Sequence, residues 1–280
     1  MREIKVQEIT AAVSKLCKDS CYYLPEELLE KLKASIATEE SPLGQEILTT
    51  IVENAELAKA KDVPICQDTG MTVVVLRIGQ EVHIDGDFLE DAVNEGIRQG
   101  YAEGYLRKSV VSDPILRENT KDNTPGVIHY EIVPGDRLEI TVAPKGFGSE
   151  NMSRVFMLKP ADGIEGVKQA VIRAVKDAGP NACPPMVIGV GIGGTFEKCA
   201  LLAKKALTRE LGSHSEIPYV KDFEIEVLEA INNLGIGPGG LGGRVTAIGL
   251  NVETYPTHIA GLPVAVNICC HVNRHITRVL

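Results

Sequence analysis

Apolar residues at Ile4, Ile9, Val13 and Leu16 approximate a helical stripe near the start of the chain. Pro25-Glu26-Glu27 has the form of a second helix start, with Pro at its first position, and a third helix is predicted over 43–59. Residues 4–60 therefore read as helices, with no convincing strand. The pattern changes near residue 62. A strand is predicted over 72–78, a helix over 87–106, and short strands over 127–133 and 137–142, separated by the turn signal Pro134-Gly135-Asp136. Further helices follow over 163–178, 195–211 and 219–233, with strands over 186–192 and 244–252. A closing apolar segment runs over 262–270. No repeat, low-complexity tract or obvious linker interrupts this order. The expected fold is α+β, a single domain over 1–280. A mainly helical N-terminal region, 1–62, packs on a mixed sheet with flanking helices, 63–280.

Composition narrows the setting. With 44% hydrophobic residues, 24% charged and only 4% aromatic, the chain is an ordinary globular protein whose core is filled by Val, Ile, Leu and Ala. A formal charge of −9 argues against nucleic acid or an anionic membrane as partner, yet leaves room for a small anion held by local Arg and Lys. No apolar run approaches the roughly 18–20 residues that span a bilayer, and the charged N-terminus lacks the apolar core of a signal peptide. The expected location is the cytoplasm. Seven cysteines, odd in number and widely spaced, fit a reducing compartment better than a disulfide framework.

Two glycine-rich stretches invite a nucleotide reading. Gly189-Val-Gly191-Ile-Gly193-Gly194 matches a dinucleotide fingerprint and sits between a predicted strand and a predicted helix. No βαβ pattern precedes it, and residues 213–233 read as loop and helix instead of a second strand. Close backbone packing, or an anion at the helix start near Thr195, accounts for it as well. Gly235 to Gly240 repeats the same string after a helix and contains a Pro, as chance would have it.

The candidate chemistry lies in the cysteines. Pro64-Ile65-Cys66-Gln67-Asp68-Thr69-Gly70 presents a thiol, an amide and an acid on one turn. Cys183 and Cys270 lie far downstream in similarly irregular surroundings. Zinc-type Cys pairs and compact four-Cys iron–sulfur runs are both absent. Three dispersed loop thiols suit a fold-assembled metal site, with one coordination position left over for substrate. Cys17 and Cys21, at i and i+4, read as core thiols.

Cys66-Gln67-Asp68-Thr69-Gly70, Lys145-Gly146-Phe147-Gly148-Ser149-Glu150-Asn151 and Leu262 to Asn267 leading into Cys270-His271 together resemble the class I, iron–sulfur-dependent fumarase family. The match is to its α subunit or N-terminal domain, shared with L-tartrate dehydratase, and it covers essentially the whole chain. The resemblance implies a 4Fe-4S cluster with one open iron, held by Cys66, Cys183 and Cys270; Cys269 is adjacent to the third. It also implies an acid/base role for Asp68 and substrate contacts from Gln67, Arg107, Gly146, Gly148 and His258. Where Phe147 stands, the familiar loop has Gly. Read without the resemblance, Arg107 is a solvated cation at a helix end and His258 a core histidine.

The same resemblance places a proton-abstracting Thr and further cations in a β domain, and the chain ends at Leu280 without one. The expectation is an α subunit, inactive without a separate β subunit, that interconverts fumarate and L-malate in the tricarboxylic acid cycle and is sensitive to oxygen. The L-tartrate dehydratase α subunit is the near alternative. A dinucleotide-dependent oxidoreductase and an electron-transfer iron–sulfur subunit are the distant ones.

Overall fold

The protein is seen in a computed structural model, which describes residues 2–280. A short strand, β1 (Arg2–Lys5), leads into helices α1 (Val6–Tyr22), α2 (Glu26–Thr38) and α3 (Pro42–Lys61). Strands β2 (Met71–Gly79) and β3 (Val82–Asp85), helix α4 (Leu89–Glu103), and strands β4 (Val127–Val133) and β5 (Leu138–Lys145) follow. A single-turn helix α5 (Phe147–Glu150) precedes β6 (Arg154–Leu158), α6 (Gly163–Ala178), β7 (Met186–Gly193), α7 (Phe196–Ala206) and α8 (Pro218–Asn232). The chain closes with β8 (Ala247–Tyr255), β9 (Leu262–Cys269) and β10 (Ile276–Val279). The α+β class expected from the pattern is the one observed.

These elements gather into two compact units, neither continuous in sequence. The first combines residues up to Pro25 with Ala55–Phe147 and Arg274–Leu280; the second combines Glu26–Asn54 with Gly148–Asn273. In the first unit, one sheet runs β10-β5-β2-β4 and a two-stranded parallel pair joins β1 to β3. Ile9, Val13 and Leu16 of α1 and Ile97 and Tyr101 of α4 bury one side chain after another against Val74, Leu76, Leu138 and Ile140. The N-terminal stripe thus forms the predicted helix, but a strand precedes it. In β1 only Ile4 is buried, which gives strand pattern reading nothing to hold.

The turn at Pro134-Gly135-Asp136 does not close a hairpin. Strand β2 lies between its two arms, pairing parallel with β4 and antiparallel with β5. A compact turn signal reports a reversal of the chain; it does not report which strand fills the gap.

In the second unit the sheet order is β6-β9-β7-β8. Val171 and Val175 of α6 and Val227 and Ile231 of α8 pack on Ile188, Val190, Val264, Val266 and Ile268. The fingerprint glycines have a packing reason. A Cβ on Gly189 would stand 2.1 Å from the Ala203 carbonyl oxygen, and one on Gly191 would stand 2.1 Å from that of Cys199. Helix α7 lies directly on the strand backbone.

The second glycine stretch is anchored by an acid. Glu39, 2% exposed, accepts hydrogen bonds from the amides of Ser41 (2.8 Å), Arg244 (2.9 Å) and Val245 (2.7 Å). A Cβ on Gly44 would meet Glu39 Cγ at 2.8 Å, and one on Gly243 would meet Oε1 at 2.5 Å. Burial alone would raise this carboxyl, but the backbone donors outweigh it and hold its pKa below the ordinary glutamate range. Among the described residues, no helix is long and apolar enough to cross a membrane.

Candidate active site

The candidate residues divide between the two units. In the first, the 64–70 loop leaves α3 and is fixed from several sides before it enters β2. The Ile65 amide donates to the Cys21 carbonyl (3.0 Å), and the Cys21 thiol donates to the Thr69 carbonyl (3.7 Å). The buried Tyr101 hydroxyl lies 2.7 Å from the Thr69 oxygen and 3.0 Å from that of Gly70, sharing one proton between them. Thr69 Oγ1 donates to the Arg107 carbonyl (3.2 Å) and accepts from the Arg107 amide (2.9 Å). Asn123 reaches in with Nδ2 to the Gly70 carbonyl (3.2 Å) while its Oδ1 takes the Ser109 amide (2.7 Å). The backbone at Arg107 is therefore docked on the segment bearing Cys66 by the Thr69 hydroxyl, while the Arg107 side chain stays exposed.

Asp68 sits at the centre of this arrangement. Its Oδ1 accepts from the Gly70 amide (2.9 Å) and its Oδ2 from the Phe147 amide (3.0 Å). A Cβ on Gly146 would lie 3.1 Å from that same Oδ2, so the turn after β5 approaches the carboxylate closely. The Phe147 amide thus faces Asp68, which answers in part how a loop with Phe in place of Gly is used. Arg274, 4% exposed, donates from Nη2 to the Asp68 carbonyl and from Nε to the Pro144 carbonyl (3.2 Å).

In the second unit, Cys183 follows the turn Gly179–Ala182 in a left-handed conformation, φ 51° and ψ 64°, and is exposed. Cys270 lies one residue beyond β9 and is half-buried. The next residue, His271, places Nδ1 3.0 Å from the Cys183 carbonyl, so the two thiol-bearing turns share a hydrogen bond. Cys269 belongs to β9, paired opposite Val187, and is buried. His258 is not the core histidine that its sequence neighbours indicate. It is exposed on the turn between β8 and β9, where Nδ1 accepts from the Ala260 amide (3.2 Å). Gly148 is exposed at the start of this unit.

The seven thiols sort by environment. Cys17, Cys21, Cys199 and Cys269 are buried, whereas Cys66 and Cys270 are half-buried and Cys183 is exposed. Burial pushes the Cys17 thiol far above its ordinary range and Cys21 up to about 11, the latter despite the opposing charge of Arg274. Both remain protonated thiols at neutral pH. Among the described residues, no group of three or more His, Cys, Asp or Glu side chains stands close enough to hold a metal ion. The donor chemistry fits a soft-metal cluster all the same. The three loop cysteines are the ones reachable from solvent, and none is tied up in a disulfide. A cavity of about 660 Å³ between α1 and α4, whose lining includes Thr10, Asp91, Asn94 and Arg98, includes none of the candidate residues.

The sequence assigns no role to Thr69, Tyr101, Asn123, His271 or Arg274. Thr69 and His271 stand within the motifs quoted above, but Tyr101 looks like one more apolar position of α4, and the rest act on backbone groups, whose pairing no motif records.

Against known proteins, residues 10–279 match the family described as Fumarate hydratase (Fumerase), and the chain belongs to that family of hydro-lyases. It is similar to a Methanocaldococcus jannaschii protein provisionally named L(+)-tartrate dehydratase subunit alpha, at 39% identity over 95% of each chain. It is also similar to the L(+)-tartrate dehydratase subunit alpha of Escherichia coli strain UTI89, at 32% identity over 97% of this chain and 90% of that one. The subunit of the same name from E. coli K12 is 31% identical over the same shares.

Proposed function

We propose that this chain is the α subunit of an iron–sulfur hydro-lyase that adds water to, or removes it from, a small dicarboxylate, working with a separate β subunit. The family match over residues 10–279 carries the reading, and the held carboxylate of Asp68, two residues from a loop thiol, supports it locally. The substrate pair proposed is fumarate and L-malate, after the family's description. L-tartrate is the second reading, favoured by the names of the relatives.

Cys66, Cys183 and Cys270 would hold the 4Fe-4S cluster typical of the family. When bound, that cluster supplies Lewis acidity to the hydroxyl that leaves. The remaining roles belong to the protein. Asp68 moves a proton, its two oxygens already oriented by the Gly70 and Phe147 amides. Arg107 offers a planar fork to a substrate carboxylate, on a backbone fixed by Thr69. Gln67 and His258 supply polar contacts, and the Gly146 and Gly148 turn lets backbone approach the dianion closely. The β subunit contributes the base that removes the carbon-bound proton. L-malate and L-tartrate differ by one hydroxyl group on the same saturated four-carbon frame, so a few polar contacts decide between them.

The test is anaerobic cluster reconstitution of the chain together with its β subunit, followed by parallel assays on fumarate, L-malate and L-tartrate. Turnover of fumarate and malate with little on tartrate establishes the first reading, and the reverse establishes the second. A loaded complex inert on all three sinks the hydro-lyase assignment. Full turnover by the α chain alone removes the two-subunit claim.

A further inference from the structure

We infer that Arg274 is a positioning residue for the reaction: its buried guanidinium sets the spacing between the 66–70 loop and the turn after β5, and so aims the Asp68 carboxylate. This rests on the proposed role of Asp68.

The geometry is specific. The two oxygens of Asp68 are held by amides from different segments, Oδ1 by Gly70 of its own loop and Oδ2 by Phe147 of the turn after β5. The direction of the carboxylate therefore depends on the distance between the two segments. Arg274 bonds both: Nη2 to the carbonyl of Asp68 itself, and Nε to the carbonyl of Pro144, three residues before Phe147. A Cβ on Gly146 would come within 3.7 Å of Nη2, so guanidinium, glycine and carboxylate lie in one small volume.

The residue type fits this work. A guanidinium presents Nε and Nη2 donors in a rigid plane and serves two carbonyls at once, at a fixed separation. An ammonium is a single point on a flexible stem and sets no such distance. A full charge at 4% exposure costs desolvation, which only well-placed acceptors offset. An apolar side chain would fill the space without fixing either segment.

The experiment uses Arg274→Lys and Arg274→Ala in the reconstituted αβ enzyme, together with the cluster-free α chain. Misplacement by about 1 Å lowers rates by up to about a hundredfold. Arg274→Lys is expected to lose at least about tenfold in kcat, with KM within about threefold of wild type and iron per chain unchanged. Arg274→Ala should lose more and regain part of kcat on adding millimolar guanidinium chloride, but not sodium chloride. In the cluster-free chain, amide exchange at Gly70 and Phe147 should accelerate at least about tenfold in Arg274→Lys while exchange in α6 stays at the wild-type rate. A kcat within twofold of wild type, or unchanged protection of both amides, overturns the inference. Should Arg274→Ala fail to fold, the exchange measurement on Arg274→Lys decides alone. A wild-type complex inert on every substrate sinks the hydro-lyase reading and leaves the exchange result to stand by itself.

Discussion

Glu39→Gln tests how the glycine-rich stretch before β8 is held. The substitution keeps size and shape, so it opens no cavity. It replaces a carboxylate that accepts from the Ser41, Arg244 and Val245 amides with a group having one acceptor oxygen and one donor nitrogen. If the amide oxygen takes the place of Oε1, Ser41 and Arg244 keep neutral bonds. The nitrogen then faces the Val245 amide, donor against donor, in a site only 2% exposed. Hydrogen bonds to a charged partner contribute about 1.5–3 kcal/mol and neutral ones about 1 kcal/mol. Losing one and weakening two should cost about 2.5–7 kcal/mol. At about 2–4 °C per kcal/mol for a unit of this size, Tm should fall by at least about 5 °C. The assay is thermal and urea unfolding of the cluster-free chain at pH 7 and then at lower pH. The folded pKa of Glu39 is depressed, so its contribution is fully present above the unfolded glutamate value of about 4.3 and fades as pH falls through the folded value. The gap between wild type and variant should accordingly narrow below about pH 4.3. A Tm difference under about 1 °C at pH 7, or a gap that widens with acid, would refute the account.

Three further outcomes are expected. Gly191→Ala should destabilise by about 3 kcal/mol or more, because its Cβ would press on the Cys199 backbone oxygen and not on a yielding side chain; a urea midpoint equal to wild type would contradict the packing reading. Brief iodoacetamide treatment of the native cluster-free chain, read by mass spectrometry, should label Cys183 first and leave Cys17 and Cys21 unmodified. Labelling of Cys17 at the rate of Cys183 would show its burial to be wrong. Tyr101→Phe removes the hydroxyl between the Thr69 and Gly70 carbonyls and should cost about 1–2 kcal/mol. Exchange at the Arg107 amide should quicken in that variant, and unchanged exchange there would separate Tyr101 from the loop's order.

What could be read in advance follows the range of the interactions. Helix α6 falls on its predicted span because its apolar residues repeat locally, and β2, β7 and β9 declare themselves by apolar runs. Strands β1, β3 and β10 are four residues each, too short for a period to register. The β4-β2-β5 order was equally hidden, since pairing with a distant strand is decided by packing and not by the turn. The site shows the same division. Cys66, Gln67 and Asp68 stand out because Pro64 and Gly70 bracket them. Arg274 does not, because its partners are carbonyls 130 and 206 residues away, and any residue carries a carbonyl.

The interleaving of the two units bears on how the protein is made. The first unit begins with Arg2–Lys5 but takes its last strand, Ile276–Val279, from the other end of the sequence. During synthesis, α1 and α4 have emerged long before Arg274 and β10, while the second unit already has every one of its residues at Asn273. A nascent first unit must wait with β5 uncovered along one edge, and folding that depends on such distant closure is slow. Neither unit can be obtained by cutting the gene once. A fragment that ends at Phe147 would hold the Cys66 loop and the Asp68 carboxylate, yet lack the arginine and the strand that finish its sheet.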